Sequence, residues 1–252
     1  MKRWAPSGRK TLFVAAAAAL LAAPAVPAGA QEGADWSGRL TLYAWAAGLG
    51  GSVTPFAGAP TLEIDKSFSD VLESLDAAFF LTGYAVHDRT VLLGDLSYSA
   101  LSNEGVIGPG LPASGSQRQT SLTLAAGYRV MEDTGLTVDL LGGLRLWDIS
   151  GRVNAPPVVS ASPSLSFADP IVAVRANAAL SDRWTAFAYA DVGGFGIGSD
   201  LTTQVAVAAN WRATDNVFLS VGYRVLNLDY NRGGTRIDTT MQGPLVGVTW
   251  QF

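Results

Sequence analysis

The sequence predicts an all-β fold: a single antiparallel, up-and-down transmembrane β-barrel of about ten strands, with eight or twelve also compatible. Three observations predict it. Apolar and polar residues alternate with period two in ten segments, the mark of strands with two different faces. The connections between these segments are short and long in turn, the habit of outer-membrane barrels with tight inner turns and long outer loops. The chain is also apolar, with mean hydropathy +0.24 and 15% charged residues. Yet beyond residue 30 it holds no apolar run near the ~18 residues of a membrane-spanning helix.

The first element is expected to be removed. Lys2, Arg3, Arg9 and Lys10 precede the apolar run "TLFVAAAAALLAA", and Ala28-Gly29-Ala30 forms an A-x-A cleavage signal before Gln31. Such a run is too short to anchor in a membrane and reads as a secretory signal peptide, residues 1–30, cut after Ala30 on the Sec route to the outer membrane. Residues 31–252 are then the barrel domain. Setting aside those four cations takes 17 basic residues to 13 against 21 acidic ones, a net charge of −8, which argues against a nucleic-acid partner. The chain has no cysteine and one histidine, His87, so neither disulfides nor a His- or Cys-based metal site is available. No cofactor and no metal is expected.

The strands follow at 36–48, 76–87, 90–101, 117–130, 136–148, 171–180, 184–193, 201–212, 217–230 and 239–252. Most have the length a tilted strand needs to cross an outer membrane. In "QRQTSLTLAAGYRV" Gln117, Gln119, Ser121, Thr123 and Arg129 share one side, and Leu122, Leu124, Ala126, Tyr128 and Val130 the other. Short links "DR", "MEDTG", "SDR" and "ATDN" form the inner turns. The pieces 49–75, 102–116, 149–170, 194–200 and 231–238 form outer loops, with turn-like composition in "GVIGPGLPASGS" and "NAPPVVSASPS". A further hairpin fits within "GSVTPFAGAPTLEI". In "SFSDVLESL", Phe68, Val71, Leu72 and Leu75 recur at helical spacing, with Asp70 and Glu73 as a capping pair. That short helix has three placements open to it: the barrel mouth, the rim, or the start of the second strand.

Aromatic placement is a separate test. Trp36, Trp184, Trp211 and Trp250 fall at inner strand ends, and Trp45 and Trp147 at outer ends, as two interfacial girdles would require. A soluble sandwich or lipocalin-like barrel is the alternative, and it would need charge on the faces that here are almost uncharged.

With the polar side inward, the lumen receives Arg39, Asp95, Arg129, Asp139, Arg145, Arg175, Asp191, Arg212 and Arg224. Charges in a narrow barrel must be paired or hydrated, so an Arg–Asp network is expected. Three function classes remain: a structural, envelope or surface-interaction barrel; a narrow small-solute channel; and an outer-membrane hydrolase or lipid A-modifying enzyme. The enzyme reading is the weakest. His87 falls at an inner turn, and the acidic pairs Asp191 with Asp200 and Glu63 with Asp65 read as ordinary rim acids. The sequence assigns no catalytic residue.

The stretches "WSGRLTLYAWAAGLGGSV", "SFSDVLESLDAAF", "LLGDLSYSAL", "DVGGFGIGSDLT", "GYRVLNLDY" and "GVTWQF" together resemble a group of small, porin-like proteobacterial outer-membrane β-barrel proteins ending in Phe. The resemblance spans nearly all of residues 31–252. It implies contact with outer-membrane lipid and lipopolysaccharide, and insertion by the barrel-assembly machinery, with Trp250 and Phe252 as the assembly signal. It brings no catalytic residues and no oligomeric state.

Overall fold

A computed structural model describes residues 36–107, 111–155 and 159–252; the expected signal peptide lies outside them. The strands are β1 (Ser37–Trp45), β2 (Gly48–Thr54), β3 (Leu62–Lys66), β4 (Leu75–His87), β5 (Thr90–Ile107), β6 (Leu111–Asp133), β7 (Leu136–Ala155), β8 (Val159–Ala161), β9 (Ser164–Ala179), β10 (Trp184–Gly193), β11 (Leu201–Arg212), β12 (Val217–Arg232) and β13 (Thr235–Gln251). One short helix, α1 (Phe68–Glu73), precedes β4.

Ten of these strands close a ring, in the order β1, β4, β5, β6, β7, β9, β10, β11, β12, β13 and back to β1. Every pairing is antiparallel, and the closing register sets Leu42 opposite Val248 and Arg39 opposite Gln251. Closure removes the sheet edges that an open sheet would expose. Alternation does the rest. Leu40, Leu42, Leu124, Leu144, Val172, Val205, Val221 and Val248 stand exposed on the outside, while Thr41, Tyr43, Thr123, Arg145 and Arg224 turn inward. An uncharged apolar exterior around a polar interior is the inverse of a soluble barrel and suits a hydrocarbon surround.

The outer end is taller than the sequence suggests. Residues 102–107, 111–116, 149–155 and 164–170 do not leave the sheet as loops: β5, β6 and β7 run on for 18, 23 and 20 residues, and β8 adds a short rung to β7. Beyond β9, by contrast, β10 has 10 residues and ends in a tight loop, 194–200. There Ser199 is fully buried, and Gly198 lies so close to Ala168 O and Asp169 that a Cβ would collide with both.

β2 and β3 form the further hairpin. They lie outside the ring and extend it upward, because β13 pairs β1 through its lower half and β2 through its upper half. The handover falls at Gly243-Pro244. A Cβ on Gly243 would strike Ala46 O, and Pro244 O accepts from Ala46 N at 2.9 Å. Proline is tolerated at this break in the ladder, where a strand changes partner.

α1 sits against β2 and β3 at the rim. Its capping box is Ser67 with Asp70, the Asp70 carboxylate accepting from Ser67 N at 2.9 Å and the Asp70 N–H donating to Ser67 Oγ at 3.3 Å. The expected Asp70–Glu73 pairing is therefore corrected by one turn: Ser67, not Asp70, has the extended backbone of an N-cap.

Candidate functional site

The lumen is a stack of distinct layers, and each is built by inward positions of neighbouring strands. Nearest the inner end, Asp139 on β7 accepts from Arg129 Nε at 3.0 Å, Arg175 Nη1 at 3.2 Å and the Tyr84 hydroxyl at 2.6 Å. Arg129 also reaches Glu132 at 3.3 Å, and the Arg175 guanidinium stacks 3.6 Å from the centre of the Tyr84 ring. Arg39 is near this layer but takes Gln251 Oε1 at 3.1 Å rather than an acid. Arg212 is exposed at the inner mouth, over the Phe218 ring at 5.7 Å, and joins no ion pair among the described residues.

Six residues further along β7, about 20 Å of strand, lies a second layer. Arg145 meets Asp191 through two parallel bonds, at 3.1 and 2.6 Å, and its Nε donates to Thr123 Oγ1 at 3.0 Å. Arg224 donates to Asp95 Oδ1 at 3.1 Å and to the Tyr43 hydroxyl. Gln204 Oε1 accepts from Arg224 at 2.7 Å and from Arg145 at 3.4 Å, and so ties the two pairs into one network. Asp95 also accepts from Thr82 at 2.7 Å and from Tyr43 at 3.0 Å. Charge-assisted, two-point bonds of this kind are the strong ones. They span the lumen from β1, β4 and β5 to β10, β11 and β12. Between the two layers is a cavity of about 140 Å³ lined by residues including Thr41, Leu93, Phe187 and Tyr189.

Above the central layer the lumen turns apolar. Trp45, Phe80, Trp147, Leu226, Leu228, Tyr230 and Ile237 form one buried cluster with Tyr43. Phe167 stacks between Trp147 and Tyr230, with centroids at 6.1 and 4.8 Å. Arg224 lies 4.8 Å from the Trp45 ring, so charge layer and plug are in direct contact. This corrects the outer girdle expected of Trp45 and Trp147. Both are buried in the lumen, Trp147 at 0% exposure, because they share the odd-numbered, inward parity of Arg39 on β1 and Arg145 on β7. Their indole N–H groups are satisfied inside, Trp45 by Gly243 O at 3.2 Å and Trp147 by Asp169 at 3.1 Å. The inner-end tryptophans differ: Trp36, Trp184 and Trp250 are exposed, Trp211 is half-buried beside its cross-strand partner Trp184, and Trp250 packs 5.1 Å from Phe252.

Asp169 is the residue that the sequence did not single out. It is fully buried, has no arginine partner within ion-pair distance among the described residues, and takes the Ser199 N–H at 2.6 Å and the Ser199 hydroxyl at 2.9 Å. It thereby ties the loop 194–200 down over the plug. Its inward parity on β9 was readable, but its partner is a loop residue that only the fold supplies.

The chemistry of a hydrolase is not assembled at the expected places. His87 Nδ1 is 3.7 Å from Asp88 Oδ2, closer than strand neighbours would be, because Asp88 adopts positive φ in the turn. Asp88 is well exposed at the inner end and His87 half-buried, its ring leaning on Trp36 at 5.1 Å. Asp191 is held by Arg145, whereas Asp200 is exposed; Glu63 and Asp65 are exposed on β3.

Fold and lumen together define a closed, ten-stranded antiparallel β-barrel of the outer-membrane type, with paired charges and packed aromatic rings across its interior. No family model matches the sequence, and no curated protein matches it. In structure the chain is similar to the outer membrane protease OmpT from Escherichia coli, with TM-score 0.50 and 9% identity over 86% of this chain and 97% of that one. The translocator domain of autotransporter NalP from Neisseria meningitidis follows at TM-score 0.49 and 17% identity, over 95% and 98%. Ail, the attachment invasion locus protein of Yersinia pestis, follows at 0.39 and 13%, over 88% and 100%. At such identities the likeness is one of fold, and no residue's role is carried over.

Proposed function

We propose that this protein is an integral outer-membrane barrel with a structural, envelope or surface-interaction role, not an enzyme and not an open channel. One observation carries the reading: the lumen is crossed by the Arg145–Asp191 and Arg224–Asp95 layer and then filled by the Trp147 cluster. A solute path would have to break buried ion pairs and displace packed aromatic rings, each of which costs several kcal/mol. The apolar exterior supports contact with membrane lipid, and the exposed rim supports contact with lipopolysaccharide; insertion is assigned to the barrel-assembly machinery.

Swelling of liposomes loaded with purified protein tests this. Sugars and amino acids are expected to enter no faster than into protein-free liposomes, and specific swelling with any of them would favour the narrow channel. Peptide cleavage or a lipid A mass shift that disappears in His87→Ala would establish an enzyme instead.

A further inference from the structure

Above the plug the barrel opens into a vestibule of about 500 Å³ that faces outward. One wall is the β2–β3 hairpin. Its register sets Leu49 opposite Lys66 and Val53 opposite Leu62, so Leu49, Val53, Leu62, Ile64 and Lys66 share one face, and all of them line the space. The far wall includes Ile149 on β7 and Leu165 on β9, and the floor is Leu228 and Ile237 of the plug. Leu62, on the hairpin face, remains 50% exposed. The volume falls within the ~300–1,000 Å³ of small-molecule sites, which are mostly apolar with a few fixed polar groups. Its polar lining includes the cations Lys66 and Arg152, the Asp70 carboxylate and neutral groups such as Gln117 and Gln119. Of the two cations, Lys66 stands on the hairpin face itself. No carboxylate lies within ion-pair distance of it among the described residues, and the nearby Asp70 carboxylate is occupied by Ser67 N and Oγ.

We propose that this vestibule binds a monoanionic amphiphile of the fatty-acid type, with its chain between the hairpin face and the Ile149–Leu165 wall and its head group at Lys66. Binding removes from water the apolar surface that the described residues leave exposed at Leu62 and partly exposed along the rest of the hairpin face. The ligand enters from outside, since the plug and the central ion-pair layer close the other end.

The test is photolabelling of outer membranes carrying the full chain with a diazirine-bearing fatty acid, followed by mapping of adducts by mass spectrometry. Adducts are expected on Ile64, Ile149 and Leu165, in addition to lipid-facing positions such as Val172 and Val248. Labelling confined to the lipid-facing positions overturns the proposal. Val53→Asp, which puts a charge into the apolar wall, is expected to reduce the inner adducts about tenfold and to leave the lipid-face adducts unchanged as an internal control for folding. An unchanged ratio overturns it. Lys66→Gln is expected to weaken labelling by the acid several-fold but not by the matching fatty alcohol, and equal effects on both overturn the head-group assignment. The same diazirine carried on a phospholipid is expected to mark only the lipid face; inner adducts from it, without any from the free acid, overturn the proposal in favour of a membrane-lipid chain.

Discussion

The two ion-pair layers of the lumen use the same residue types in different surroundings. In the central layer Arg145 and Asp191 are completely enclosed, with a second pair bonded to them through Gln204 and an aromatic plug above. In the inner layer Asp139 is just as enclosed, but Arg129 keeps part of its guanidinium at the inner mouth, beside the half-exposed Glu132. Asp139 also has a second cation, Arg175, in reserve. The difference teaches that enclosure and redundancy, more than the presence of a pair, decide what losing one partner costs. A buried cation left alone has neither water nor a counter-ion.

The comparison is broken most severely at Asp191. Asp191→Ala strands the Arg145 guanidinium and is expected to cost about 3–5 kcal/mol, read from urea unfolding in lipid vesicles. Replacing both partners together, Arg145→Met with Asp191→Leu, is expected to recover most of that loss, because no charge then remains buried; a double variant as unstable as Asp191→Ala would show that packing rather than charge is at stake. Trp147→Ala leaves a cavity in the plug and is expected to cost about 3–5 kcal/mol by the same assay. In the inner layer, Arg129→Ala is expected to cost about 1 kcal/mol or less, since Asp139 keeps Arg175 and Tyr84. A loss as large as that of Asp191→Ala would erase the distinction between the layers.

The smallest effect lies at the rim. The Ser67 hydroxyl and N–H hold the Asp70 carboxyl below the usual carboxylate range. A depressed folded-state pKa means that the cap is fully present above the ordinary carboxylate pKa and is lost as pH falls through the lowered one. The Ser67 amide chemical shift is expected to follow that acid titration, and Ser67→Ala is expected to shift the Asp70 titration back towards the ordinary range.

Most of the barrel was legible because membrane strands repeat one rule. Nine of the ten segments lie within a ring strand to within one residue, and β10 and β11 have the read boundaries, whereas 36–48 overruns β1 and ends on Gly48 of β2. The errors have physical causes. Residues 102–107 and 111–116 look like loop, with Gly, Pro and Ser, yet they pair through backbone bonds that composition does not report. Trp45 and Trp147 lie near strand ends, which suggests a girdle, but their parity with Arg39 and Arg145 points inward. Girdle and plug compete for the same residue type, and parity is the signal that separates them. Parity also brought the lumen charges together as a set but could not show their partners. The cross-lumen pairs join strands far apart in sequence, with Arg224 and Asp95 separated by 129 residues, and Arg212 shares the parity but sits too near the inner mouth to be enclosed.

Single-channel recording in planar bilayers, with wild type and Trp147→Ala side by side, tests the filled lumen most directly. The wild-type protein is expected to give no stable conductance steps, and Trp147→Ala at most brief, small openings as the plug loosens above an intact ion-pair layer. Long-lived, uniform openings of the wild-type barrel would contradict the account, because they require a continuous water path through residues that are packed and paired here.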